Sequence, residues 1–183
     1  MKLKKKEKVA QAPVVDRVAD IVNKDKTMVI MVGMQGAGKS FFTKELKDKL
    51  AGSRVETVIV CQDIEKTKPK VIKATRTAMN SGTNVVVDRT NPKLDDRKLF
   101  IDMAKEFGYK TVIVWLKTPE ETCKYLNMYR TTEQEREPVP TIAYNLYKGA
   151  IKKTPPTADE ADYLFEHITD VPAEILEKYQ FKQ

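Results

Sequence analysis

The sequence is poor in the residues that stabilise secreted and zinc-dependent domains. Its 183 residues include two cysteines, Cys61 and Cys123, and a single histidine, His167. Two cysteines make neither a disulfide framework nor a zinc site. We therefore expect both to be reduced thiols, as in an intracellular protein of the cytoplasm or nucleus. We expect His167 to be a surface or structural residue.

Long apolar runs are also missing. No stretch of about 20 apolar residues occurs, so we expect no transmembrane helix and no binding to membranes. The lysines near the amino terminus are not followed by an apolar segment, which argues against a secretory signal. Hydrophobic residues still make up 41% of the chain, enough for the core of one domain over residues 13–183. Nothing in the pattern indicates an obligate protein partner.

The positive charge is concentrated at one end of the chain. Of the formal net charge of +7, five lysines and one glutamate contribute +4 within the first eight residues. We interpret residues 1–12 as a disordered basic tail, with a polyanion-binding arm or a nuclear address as the alternative. The remaining charge is modest, so composition alone does not identify a substrate.

Apolar runs and helical patterns alternate along the rest of the chain. Nearly continuous apolar segments predict buried parallel strands at 27–32, 57–61, 84–88 and 111–116. Helical spacing predicts helices over 13–22, after residue 40, over 70–80, after residue 91, after residue 118 and over 140–150. Residues 162–168 are expected to form an edge strand. This alternation predicts an α/β fold, with a mostly parallel sheet sandwiched by helices.

Local signals predict where three of the helices begin or end. Asn91, followed by Pro92, is expected to cap the start of one helix, and Gly108 to end it. Residues 118–121, Thr-Pro-Glu-Glu, have the form of a capping box with Thr118 as the cap. Trp115 lies inside an apolar strand and is expected in the core.

One glycine-rich segment carries a specific chemical signature. Residues 33–40, Gly-Met-Gln-Gly-Ala-Gly-Lys-Ser, match the Walker A pattern between a predicted strand and a predicted helix. The backbone N–H groups of such a phosphate loop point at phosphate oxygens, Lys39 contacts the β and γ phosphates, and Ser40 binds Mg²⁺. We therefore expect ATP and Mg²⁺ as cofactors. The residues expected to bind the nucleotide are Gly33, Gly36, Ala37, Gly38, Lys39, Ser40 and Phe41.

Two other classes of nucleotide-binding protein fit the sequence less well. A regulatory GTPase needs an Asn-Lys-x-Asp segment after its phosphate loop, whereas the similar run at 23–26 ends in lysine and precedes the loop. A motor ATPase or AAA-type machine normally needs a larger chain. A small P-loop kinase remains, because this length suffices for a nucleotide core, an acceptor pocket and a lid.

Two carboxylates follow predicted strands on the side where an acceptor would bind. Asp63 lies just beyond the strand at 57–61, and Asp88 closes the strand at 84–88. Ligands of such sheets bind beyond the carboxyl ends of the strands. Either acid alone is as often a helix cap as a catalyst. Together, facing one phosphate loop, they favour a site for phosphoryl transfer to a hydroxyl.

The third strand and its exit resemble a known signature. Residues 85–92, Val-Val-Val-Asp-Arg-Thr-Asn-Pro, are similar to the Asp-x-Thr-Asn-Pro segment of polynucleotide 5′-hydroxyl kinases, and the similarity runs from about residue 29 to residue 168. The resemblance implies that Asp63 is the general base and that Arg97 is the arginine that follows the signature. It also implies a lid over residues 129–139. The implied catalytic residues are Asp63, Lys39, Arg130 and Arg136. The residues expected to bind the acceptor are Asp88, Arg89, Thr90, Asn91, Lys66 and Arg76.

The chain departs from this family beside the implied base. Gln62 replaces an arginine, and no arginine lies within a turn of Asp63, where the family usually has one for the acceptor phosphate. Lys66, Lys70 or Arg76 is expected to serve instead, although a lysine lacks the bidentate fork of arginine. The family's fused phosphatase signature, Asp-x-Asp-x-Thr, does not occur, so we expect no removal of 3′ phosphates.

The resemblance implies an enzyme that transfers the γ-phosphate of ATP to the 5′-hydroxyl end of DNA or RNA. Nucleic-acid 5′ ends are then its expected partners. The residues themselves leave two alternatives open. One is a P-loop kinase for a small metabolite or nucleotide hydroxyl, and the other is a binding module whose lid is ordered by ATP.

Overall fold

A computed structural model of the chain describes residues 12–171, 173 and 175. The predicted basic tail lies outside the described residues except for residue 12. No helix in the described ranges has the length and apolarity needed to cross a membrane.

The described part of the chain contains five strands and seven helices in an alternating order. The strands are β1 (Thr27–Gly33), β2 (Thr57–Cys61), β3 (Asn84–Asp88), β4 (Lys110–Leu116) and β5 (Tyr163–His167). The helices are α1 (Val14–Lys24), α2 (Lys39–Lys49), α3 (Gln62–Glu65), α4 (Lys68–Asn80), α5 (Leu94–Glu106), α6 (Glu120–Gln134) and α7 (Thr141–Lys153).

The strands form one sheet in the order β2-β3-β1-β4-β5, and every described pairing is parallel. The predicted parallel sheet and edge strand are confirmed. All seven residues of the central strand β1 are buried, as expected for a strand covered on both faces. Because the strands are parallel, the segments that follow β1, β2 and β3 gather at one edge of the sheet.

Helices cover both faces of the sheet and divide the core into two clusters. Successive residues of β1 point to opposite faces, so that Val29 and Met31 join one cluster while Met28 and Ile30 join the other. The first cluster includes apolar residues of α1 and α2, and the second includes those of α4 and α5. Trp115, which was expected in the core, is partly buried and packs against the second cluster.

Two of the three predicted helix ends are wrong. Helix α5 is capped by Lys93, while Asn91 has φ 40° and donates its side-chain N–H to the Met31 carbonyl at 2.9 Å. Helix α6 is capped by Pro119, while the Thr118 hydroxyl donates to the Ala37 carbonyl at 2.9 Å. In both cases the polar side chain is used for a contact distant in sequence.

Gly108 ends helix α5 as predicted, one position beyond the cap. It has φ 71°, in the left-handed region that glycine adopts without strain. Its N–H bonds to Lys105 O at 3.1 Å, and the N–H of Tyr109 bonds to Ala104 O at 2.8 Å. These two bonds form a Schellman motif, which satisfies carbonyls at the end of the helix.

A fully buried arginine joins α5 to the chain that leads into β5. Arg97 has no exposed surface, and its Nε and Nη2 donate to the two Glu160 oxygens at 2.7 and 2.8 Å. Its remaining N–H groups donate to the carbonyls of Asn91 (3.3 Å), Pro92 (3.0 Å) and Thr154 (2.9 Å). The residue therefore fixes both the exit of β3 and the approach to β5.

We expect Arg97→Met to lower the free energy of unfolding by about 3–5 kcal/mol, because it leaves the buried Glu160 carboxylate without its partner. Denaturant unfolding measures this change. The matched control is Arg76→Met, which removes an ion pair whose side chains are 45% and 57% exposed and should cost far less. Equal losses in the two variants would contradict the structural role given to Arg97.

Candidate active site

A cavity of about 1070 Å³ opens at the carboxyl ends of β1, β2 and β3. Its walls come from the phosphate loop, α3, the exit of β3, the second half of α6 and the segment after β5. Ligands of open α/β sheets bind at this edge. Five of the seven residues expected to bind the nucleotide line the cavity: Gly36, Gly38, Lys39, Ser40 and Phe41.

Two glycines of the phosphate loop are required by its conformation. Gly36 has φ 82° and Gly38 has φ 92°, both in the left-handed region. A Cβ on Gly36 would overlap Cys123 O and the Asn127 amide, and a Cβ on Gly38 would overlap the Thr169 side chain. One side of the loop is thus packed against α6 and Thr169, and residues of the loop also line the cavity.

The remaining two expected residues, Gly33 and Ala37, support the loop without lining the cavity. Gly33 donates its N–H to Thr90 O at 3.1 Å. Ala37 O accepts hydrogen bonds from the hydroxyls of Thr118 at 2.9 Å and Thr169 at 2.7 Å. These contacts join the loop to the segments that follow β3, β4 and β5.

Helix α6 supports the loop from the other side. Asn127 donates to Gln35 O at 2.9 Å, and its amide nitrogen lies 2.6 Å from the Tyr144 hydroxyl. Sequence analysis missed both Asn127 and Thr169. The only signal for Asn127 was a polar residue within the apolar face of a predicted helix, and no local pattern marked Thr169.

Lys39 lies at the start of α2 and folds back over the loop. Its Nζ donates to Gly33 O at 3.0 Å and to Met34 O at 2.9 Å. Burial lowers the pKa of this ammonium, and the nearby Asp88 carboxylate opposes that shift. The Lys39 side chain is thus anchored to two carbonyls at the start of the loop.

Ser40 and Asp88 bring two side-chain oxygens together beside Lys39. The Ser40 hydroxyl donates to Asp88 Oδ2 at 2.9 Å. Asp88 is only 4% exposed, and burial raises its pKa, against the attraction of Lys39 and the Ser40 hydrogen bond. Hydroxyl and carboxylate oxygens are the ligands that Mg²⁺ prefers. This pair and the glycine cradle beside it therefore fit a magnesium ion bound to a nucleotide.

The raised pKa of Asp88 gives stability a pH dependence of defined sign. Between the ordinary aspartate pKa of about 3.9 and the raised value, the folded chain holds a proton that the unfolded chain has lost. The contribution of this group to stability therefore falls as the pH rises through that window. We expect the unfolding free energy of the wild type, relative to Asp88→Asn, to decrease through the window and then level off. Denaturant unfolding at a series of pH values measures it, and an increase across the window would contradict the assignment.

Asp63 lies on α3, a four-residue helix that the sequence did not predict. Its carboxylate lines the cavity and its side chain is 74% exposed. Asp63 Oδ2 is 4.0 Å from Nη1 of Arg136, on the opposite wall. The expected base therefore faces the same space as the phosphate loop.

The acceptor-side residues are only partly as expected. Lys66, Arg89 and Thr90 line the cavity with Asp88. Arg76 does not contribute to the described lining, because α4 directs it to Glu106, to which it donates two hydrogen bonds of 3.1 Å. Asn91 is buried and bonded to β1. These contacts do not support the expectation that Arg76 and Asn91 bind the acceptor, which stays a prediction.

Both arginines expected in the lid line the cavity. Arg130 is half-buried near the end of α6, and burial lowers its pKa, as does the nearby charge of Arg136. The helix continues to Gln134 and ends at Glu135, which has φ 48°. Arg136 comes directly afterwards and its side chain is 51% exposed. The first half of the segment expected as a lid is thus helical.

Comparison with protein families gives a match over most of the fold. A family model described as an AAA domain matches residues 28–154. The bifunctional polynucleotide phosphatase/kinase of Schizosaccharomyces pombe is 34% identical over 156 residues, which are 84% of this chain and 35% of that protein. The chain therefore spans about a third of the length of this relative. The match confirms the resemblance to polynucleotide kinases that residues 85–92 indicate.

Solved structures share the fold at low sequence identity. A fungal RNA kinase superposes with a TM-score of 0.56 and 17% identity, covering 79% of this chain and 39% of that one. Kti12 of Chaetomium thermophilum, in complex with ADP-AlF3, superposes with a TM-score of 0.59 and 14% identity, covering 82% and 94%. These likenesses confirm the predicted P-loop kinase fold.

Proposed function

We propose that this chain, which belongs to the family whose model is described as an AAA domain, is an ATP-dependent kinase for the 5′-hydroxyl ends of polynucleotides. The observation that carries this proposal is that Asp63, the Ser40–Asp88 pair and the phosphate loop face one cavity. The name of the S. pombe relative supports a nucleic-acid acceptor. An intracellular location, expected from the reduced thiols, belongs to the same proposal. The family match concerns one domain, over residues 28–154.

ATP is the proposed donor, with its phosphates on the phosphate loop. The left-handed Gly36 and Gly38 allow the loop to turn its backbone N–H groups inward, and Lys39 adds a positive charge that is already in place. Ser40 and Asp88 would hold Mg²⁺, which would supply charge neutralisation at the phosphate oxygens. Asp88 is thus proposed to bind the metal and also to line the part of the cavity where the acceptor binds.

Asp63 is the proposed general base. It accepts the proton of the 5′-hydroxyl as that oxygen attacks the γ-phosphorus in line with the leaving ADP oxygen. Its exposure suits this role, because a carboxylate on the cavity wall can reach a large acceptor. Arg136 Nη1 lies 4.0 Å from Asp63 Oδ2, so the proposed base and a lid arginine face the same space.

The cationic wall opposite Asp63 is the proposed lid. Arg130 and Arg136 neutralise charge on the migrating phosphoryl group when the segment over 129–139 closes on ATP. We assign the main contact to Arg130. It is half-buried on a helix and is attracted by Asp63 and Asp88, whereas Arg136 lies on exposed chain beyond the helix.

Incubation with γ-labelled ATP, Mg²⁺ and a 5′-hydroxyl oligonucleotide is expected to label the 5′ end. Asp63→Asn should lower the rate of transfer by about 10²–10⁴-fold, because the attacking hydroxyl loses its base. Glu65→Gln, in the same short helix, is the matched control and should keep the wild-type rate.

The same assay separates the alternatives. Transfer only to a soluble metabolite or nucleotide hydroxyl, with none to DNA or RNA, would replace the proposal with a small-molecule kinase. Tight ATP binding without transfer to any acceptor would indicate a nucleotide-gated binding module. Full labelling of the oligonucleotide by Asp63→Asn would remove Asp63 from the mechanism.

The two arginines are expected to differ in kinetic effect. Arg130→Gln should lower kcat by about 10³-fold, the effect of removing an arginine that stabilises charge in phosphoryl transfer. Arg136→Gln should lower it much less, since its side chain is more exposed and less fixed. Steady-state kinetics with saturating ATP measures both. A larger loss in Arg136→Gln would reverse the assignment.

A further inference from the structure

The core covers helix α6 only as far as Asn127. Tyr125, Leu126 and Asn127 are buried, whereas none of residues 128–137, all of which the structure describes, is buried. Arg130 therefore lies on a part of the helix that projects beyond the core. The position of this projecting part depends on how α6 is held at its last buried turn.

That last buried turn packs directly on the phosphate loop. The Asn127 amide donates to Gln35 O at 2.9 Å. A Cβ on Gly36 would overlap both Cys123 O and the Asn127 amide, so the helix and the loop are already in close contact there. Cys123 and Asn127 are four residues apart and lie on the same face of α6. This face contacts two successive residues of the loop.

The orientation of the Asn127 amide follows from its partners. A main-chain carbonyl only accepts hydrogen bonds, so the amide nitrogen must face Gln35 O. The same nitrogen lies 2.6 Å from the hydroxyl of Tyr144, a buried residue of α7. An amide nitrogen carries two protons and can donate to both oxygens. Asn127 thus joins α6 to the loop and to α7 at one point.

This junction positions the helix more than the loop. The loop has its own supports at Ala37 O, which accepts from Thr118 and Thr169. The projecting part of α6, in contrast, begins at the junction itself.

Arg130 is the proposed lid arginine nearest to this junction in the chain. It follows Asn127 by three residues, which places the two side chains on neighbouring turns of one face, about 4.5 Å apart along the axis. Both residues line the cavity. The hydrogen bond from Asn127 to Gln35 O therefore sets how far Arg130 lies from the phosphate loop.

We propose that Asn127 is a positioning residue, which places Arg130 against the phosphoryl group that is transferred. This inference rests on the proposed function. An arginine stabilises the transferred group only when its guanidinium is held at the right distance, and a displacement of about 1 Å can cost about 10²-fold in rate. The segment over 129–139 then closes from a base that is fixed at Asn127.

A double-mutant cycle tests the inference. Asn127→Leu keeps the approximate size of the side chain and removes both hydrogen bonds, so kcat should fall by about 10- to 100-fold. The KM for ATP should stay near its wild-type value, because the loop keeps its other supports. In the Arg130→Gln background the same substitution should change kcat little, since it acts through a group that is already lost.

Asn145→Leu is the matched control, because it makes the same change at an exposed position of α7. It should leave kcat unaltered. Losses in kcat that multiply in the double variant would overturn the inference, and so would a raised KM for ATP with an unchanged kcat.

Binding of ADP and Mg²⁺, with and without aluminium fluoride, makes the result independent of any acceptor. Aluminium fluoride takes the place of the transferred phosphoryl group, so the affinity that it adds reports the contact with Arg130. We expect this gain in affinity to be lost in Arg130→Gln and to fall by about 10- to 100-fold in Asn127→Leu. The affinity for ADP alone should not change. A reduced gain supports the inference even if no acceptor is phosphorylated and the proposed function fails.

A full gain in Asn127→Leu, together with its loss in Arg130→Gln, overturns the inference and leaves the kinase activity in place. A wild type that shows no gain also overturns it. If Asn127→Leu has a markedly lowered Tm, Tyr144→Phe decides, because it removes one partner of the amide and keeps the buried ring. A loss of kcat in Tyr144→Phe that vanishes in the Arg130→Gln background supports the inference, and any other result for this variant overturns it.

Discussion

One carbonyl oxygen fixes the active-site end of this fold. Ala37 O accepts hydrogen bonds from the hydroxyls of Thr118 and Thr169, which follow the two strands on one side of β1. A loop that binds phosphate with its backbone must be ordered in advance, because ordering it on binding would weaken affinity. With the loop held in this way, the left-handed Gly36 and Gly38 direct the start of α2, and Lys39 and Ser40 take their positions from it.

The sequence was sufficient to predict the sheet, but of the three helix ends predicted it gave only the one at Gly108 correctly. Four strands are nearly continuous apolar runs. Such a run is typical of a parallel strand that is buried on both faces. Asn91 and Thr118 have side chains that commonly cap helices, but in the fold they bond to Met31 O and Ala37 O, 60 and 81 residues away. A local pattern cannot reveal that a distant carbonyl competes for the same donor.

The same distinction applies to the site. The phosphate loop and the acids Asp63 and Asp88 follow from short-range spacing, and the structure brings them to one cavity. Arg76 was assigned to the acceptor from its nearness in sequence, whereas the helical turn of α4 carries it to Glu106. Thr169 was missed because it reaches the loop across 132 residues. Helix α3 is too short to show a periodic pattern.

The hydrogen bond between Thr169 and Ala37 has a consequence for how the chain folds during its synthesis. Thr169 lies just beyond β5, so a growing chain makes its phosphate loop long before the edge strand that helps to hold it. If the loop binds nucleotide as proposed, the affinity for nucleotide and the docking of β5 onto β4 are linked, and each strengthens the other by the same factor. Nucleotide arriving during synthesis would hold the newly made edge strand in place, as a ligand that binds only the folded form.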